Sequence, residues 1–184
     1  SDQFGVRFEL VLTDGRRFSF DDNTNTITGN FFSSPFLYTP TVVCFVDAEQ
    51  FVGDYQLTTA PGSPVGGGAP TWNDQTVTLS VGETSTQRKF EAIYLEALAI
   101  GNGPNEFVFD LVCGEVFVPG GQSSGLQCSA GITFGPVEDM RGAYSVDAEF
   151  IADDDSTLTI IFAEDESNDC GAGTPTITAT LTKI

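Results

Sequence analysis

Histidine is absent from this 184-residue chain, and that absence excludes more chemistry than any motif in it supplies. Without an imidazole there is no Ser/His/Asp or Cys/His nucleophile arrangement, and no His-ligated zinc, haem or copper. Basic residues are scarce too, with five Arg and two Lys against 15 Asp and 11 Glu, a net charge of −19. A surface of that sign repels phosphate backbones and anionic bilayers, so nucleic acid is not an expected partner. Divalent cations or cationic partners suit it, although the solubility of an acidic secreted protein accounts for the charge without any ion.

Other things are missing. No run of 18 apolar residues exists, which argues against membrane insertion, and SDQFG at the start lacks a charged and then apolar leader, so the chain reads as a mature form. None of the asparagines begins an N-x-S/T sequon, and no phosphate-binding P-loop or strand-linked G-x-G-x-x-G is found. One Trp, four Tyr and one Met accompany 16 Phe. That ratio predicts a Phe-rich core with few aromatics left for display.

Cysteines stand at 44, 113, 128 and 170, with no C-x-x-C pair. An even number without metal partners points to two disulfides and an oxidising, extracellular or cell-surface location. Cys113 and Cys128 flank a Gly-rich turn, which suggests that they meet across a hairpin and leave Cys44 with Cys170.

What is present is mostly strand. Phe4, Val6, Phe8, Leu10 and Leu12 alternate with polar neighbours, and Asp14-Gly15 predicts a two-residue turn back through Phe18 and Phe20. Further strands are expected at Thr41–Asp47, Phe51–Thr59, Gln75–Val81, Glu106–Val118, Leu126–Phe134, Ala143–Ile151, Thr157–Ala163 and Thr174–Ile184. Phe31, Phe32, Phe36 and Tyr38 read as an apolar cluster under a loop, and Ala60–Pro70 as a long surface loop. One stretch differs. On a helical wheel Phe90, Ile93, Tyr94, Ala97, Leu98 and Ile100 share an arc of about 160°, whereas a continuous strand would send Glu91 and Glu96 to opposite faces. The expectation is one domain, 1–184: a mainly β, antiparallel β-sandwich, jelly-roll or immunoglobulin-like, with one short α-helix near 87–100.

Candidate chemistry is sparse. Asp21 and Asn23 in one polar turn, and Asp153 and Asp155 in another, are the side chains that would hold calcium, the one ion such turns suggest; no other cofactor is implied. The first turn departs from an EF-hand at Thr26 and Phe32, so an Asx turn explains it equally. A glycosidase would need a carboxylate pair, for which Asp110, Glu115 and Glu149 are the available members; the reading is nonetheless not an enzyme. A lectin-like glycan-binding module would use Trp72, Tyr38 and Tyr55. The preferred reading is an extracellular structural or adhesive protein, a fibre or pilus-like subunit that self-associates through its terminal strands. Phe4, Val6 and Phe8 at one end, and Ile177, Ala179 and Leu181 at the other, are the assembly residues.

Overall fold

A computed structural model describes residues 6–19, 37–38 (backbone), 44–60 and 62–184. The chain divides into two compact units, Ser1–Val43 and Cys44–Ile184.

In the first unit, β1 (Val6–Arg7) pairs with β4 (Leu37–Tyr38), and β2 (Leu10–Val11) pairs with β3 (Arg17–Phe18). The expected hairpin forms, but through a longer turn than Asp-Gly alone implies. Leu12 N–H donates to the Arg16 carbonyl, leaving Thr13, Asp14 and Gly15 as a three-residue loop with Gly15 at φ 87°. A three-residue hairpin loop takes its last residue left-handed, and only Gly does so without strain. Arg16 and Arg17 are held by Asp14 and Glu9.

The second unit is an antiparallel barrel. Its strands are β5 (Gly53–Thr59), β6 (Gln75–Val81), β7 (Gln87–Ala92), β8 (Asn105–Val112), β9 (Glu115–Phe117), β12 (Gly142–Val146), β13 (Ala152–Ala163) and β14 (Thr176–Lys183), and a short hairpin of β10 (Gln122–Ser123) with β11 (Thr133–Phe134) lies in the long connection after β9. The order is β12-β13-β14-β5-β6-β7-β8-β9, closed on itself. Closure, rather than the expected sandwich, follows from a short joint in which Gly142 and Ala143 of β12 pair with Val116 and Glu115 of β9. A Cβ on Gly142 would collide with the backbone carbonyl of Thr159, so the approach of β12 to β13 at this joint needs glycine.

Period-2 alternation sets the interior. Tyr55 and Leu57, Val77 and Leu79, Phe107, Phe109 and Leu111, Leu158, Ile160 and Phe162, and Ile177, Ala179 and Leu181 all point inward and are buried. Trp72, 1% exposed, is packed among Phe90, Phe107, Phe134 and Phe162 at ring-centroid distances of 5.0–5.7 Å, toward the end of the barrel where β5, β7 and β13 finish. The barrel is packed with rings.

The expected helix at 87–100 is instead a strand followed by a tight turn. Arg88, Phe90 and Ala92 alternate inward, and the strand ends before Glu96, which lies in a single 3-10 turn, Glu96–Leu98, between left-handed Leu95 and Ala99. Both glutamates stay outside because they are never on one strand. The alternation is masked in sequence by Arg88, a fully buried guanidinium that donates to the carbonyls of Asp47, Gln50, Ser85 and Gln87. Four acceptors meet the hydrogen-bonding demand of a charge that would otherwise not tolerate the interior. Glu106–Val118, expected as one strand, is likewise two, because Cys113 and Gly114 both take positive φ and turn β8 back into β9.

Candidate interaction surfaces

The disulfides are Cys44–Cys113 and Cys128–Cys170. All four cysteines are bonded, as expected, but the pairing is the other way round. Cys113 sits in the β8–β9 turn at one end of the barrel, and Cys128 in the connection leaving the far end of β9, so the Gly-rich stretch between them is no hairpin turn. Cys44 enters at the first end and Cys170 lies in the β13–β14 connection at the second.

That second end carries the long connections 60–74, 93–104, 118–141 and 164–175, and acidic side chains organise it. Asp169 accepts from the backbone N–H groups of Cys128, Ser129, Ala130 and Gly131 at 2.8–3.1 Å, and from the Ser129 hydroxyl. These donors, the Ser129 hydroxyl foremost, hold its carboxyl well below the usual range. Asp165 accepts from the N–H groups of Asp169 and Cys170, and Glu166 from that of Gly121. Glu164 is fully buried and accepts from Ser63 Oγ at 2.6 Å and Thr71 Oγ1 at 3.1 Å. Burial pushes its pKa up, the two hydroxyls and Tyr94 oppose the shift, and Asp165 adds to it. The acidic loop after β13 therefore uses its carboxylates to satisfy backbone and hydroxyl donors. Cys128, Asp169 and Cys170 also lie close enough to share a metal ion, but both sulfurs are in the disulfide and so offer no thiolate.

The other expected sites fare as follows. Asp153 and Asp155 lie on β13 and not in a turn; the turn is at 147–151, where Asp147 accepts from Glu149 and Ile151 N–H groups. Asp153 accepts from Ser145, and Asp155 pairs with Lys183 and accepts from Phe51 N–H. Asp21, Asn23 and Phe4 lie outside the described residues, as does the side chain of Tyr38. Trp72 and Tyr55 are core residues, and the glycan platform expected from them is not on the surface. Asp110 faces outward on β8 beside Gln87, its pKa raised by partial burial, while Glu115 is on β9 and Glu149 in the exposed 147–151 turn.

The two terminal segments differ. Ile177, Ala179 and Leu181 point into the core, and their strand is paired along both edges, with β13 and with β5. At the other end Phe8 (55%), Leu10 (48%) and Val11 (51%) are exposed, with Val6 half-buried. No known family, curated protein or solved structure matches the chain.

One further surface was not signalled by composition or periodicity. Between β6 and β7 only Ser80–Lys89 and Val81–Arg88 are in register, although both strands continue beyond that point. Past Ser80 the seam opens into a groove lined by Thr76, Val77 and Thr78 on one side and Phe90, Glu91 and Glu106 on the other. A two-residue ladder between strands of seven and six residues would have been visible only from the pairing.

Proposed function

We propose that this is an extracellular structural or adhesive protein that self-associates through its N-terminal strand segment. The observation that carries the reading is the exposure of Phe8, Leu10 and Val11 on a segment already extended and already partly β. Apolar side chains clustered on an extended stretch are the features of a strand that completes a sheet elsewhere. Two disulfides support an oxidising location. Among the described residues no helix is long and apolar enough to cross a membrane.

Assembly through the C-terminal strand is not part of this reading, because β14 is paired along both edges, with β13 and with β5. The paired variant Phe8→Asp/Leu10→Asp tests what remains. Both side chains are exposed, so the barrel should melt as in the parent, while light scattering should show self-association lost. Unchanged association in the double variant would overturn the proposal.

A further inference from the structure

We infer that the open β6–β7 seam is the acceptor for the N-terminal strand of a second copy, giving head-to-tail assembly. The inference rests on the self-association proposed above and names its other half.

The geometry begins with the ladder. Continuing the register past Ser80–Lys89 would set Leu79 opposite Phe90, Thr78 opposite Glu91 and Val77 opposite Ala92. None of these pairs forms. Each of the six is nonetheless held on its other side, Leu79, Thr78 and Val77 by Gly53, Asp54 and Tyr55, and Phe90, Glu91 and Ala92 by Phe107, Glu106 and Asn105. The two strands are therefore fixed in extended form with one edge each turned to the groove. A barrel normally removes its edges, and an edge left open is a template for another strand. The floor below is apolar, since Val77 and Phe90 line the groove while remaining nearly buried. An incoming strand with apolar residues at alternate positions would set one face on that floor and the other toward solvent.

Charge selects the occupant. Residues 44–184 hold 21 of the 26 acidic groups and four of the seven basic ones, and the groove itself presents Glu91 and Glu106 beside Lys89. Two such bodies repel each other over most of their surface. The described stretch 6–19 is the exception, with Arg7, Arg16 and Arg17 against Glu9 and Asp14. It also has the required alternation, Val6, Phe8, Leu10 and Leu12 on one parity. A strand that binds a seam elsewhere on an identical molecule makes a heterologous contact, which propagates rather than closes.

The test uses two full-length variants. Thr76→Lys/Thr78→Lys places two lysines at exposed positions of β6 beside the groove, where they obstruct the incoming strand and repel its arginines while reducing the negative charge that separates copies. Phe8→Asp/Leu10→Asp disables the donor. Sedimentation velocity should show the wild type associating, each variant alone monomeric, and an equimolar mixture forming a 1:1 dimer that grows no further, because one intact donor meets one intact acceptor. If the wild type and the seam variant both associate while the donor variant does not, the seam assignment fails and N-terminal assembly stands. If both variants are monomeric and their mixture stays so, the seam assignment also fails. A wild type that is monomeric at every concentration overturns both proposals.

Discussion

Trp72→Ala separates a core residue from a display residue, and the structure sets its size. The indole is 1% exposed and touches four phenylalanine rings contributed by β7, β8, β11 and β13. A buried aromatic side chain removes about 150–250 Å² from water, worth about 4–6 kcal/mol at ~25 cal/mol per Å². Partial collapse around the vacated space brings the expected loss to about 3–5 kcal/mol, the usual range for Trp or Phe truncated in a core. Four rings from four strands leave little room to collapse, so the upper half of that range is expected. In urea, with a slope of about 2 kcal/mol per molar, the midpoint should fall by roughly 2 M. The wild type carries its own reporter, since its one tryptophan should emit as a buried indole and shift red on unfolding; the variant is followed by circular dichroism. A loss below about 1 kcal/mol would mean a surface site and would refute the packed-barrel account.

Two substitutions at the loop end should show opposite pH signatures. Glu164 has its folded-state pKa raised, so it favours the fold while protonated and that contribution is lost as pH rises through the folded value; Glu164→Gln should therefore gain on the wild type in melting temperature as pH rises above the ordinary carboxylate range. Asp169 has its pKa lowered, so its contribution is present above the unfolded carboxylate value and lost as pH falls; Asp169→Asn should be less stable than the wild type at neutral pH, with the gap closing in acid. A gap independent of pH in either case would contradict the assignment. Where β12 crosses close to β13, Gly142→Ala must move backbone to fit its methyl group and should cost at least about 2 kcal/mol, whereas the same change at Gly103, which meets nothing, should cost little; equal effects in chemical denaturation would show that β12 does not depend on close approach to β13.

Much of the fold is legible in alternation, and the failures have local causes. Gln75–Val81 reads as a strand and is one because every second residue is apolar and no inward position is charged. The stretch 87–100 reads as a helix because a single strand through it would send Glu91 and Glu96 to opposite faces; the strand instead stops at Ala92, and its inward Arg88 is made tolerable by the carbonyls of Asp47, Gln50 and Ser85, brought in from other segments. Trp72 sits just after a Gly/Pro-rich loop and looks exposed, yet its ring is buried among four phenylalanines of the core. A Gly-rich stretch between two cysteines does not say that the chain doubles back there, and the Cys113–Gly114 turn sends the chain to the opposite end before Cys128. The seam had no sequence signal of its own, since both of its strands are individually well formed. Alternation reports each strand and not the ladder between two.

Sedimentation velocity of the unmodified chain across a wide concentration range tests the central claim most directly. The account predicts an average mass that climbs above the 19.6 kDa of one chain in successive multiples as concentration rises. A mass fixed at 19.6 kDa throughout would contradict it.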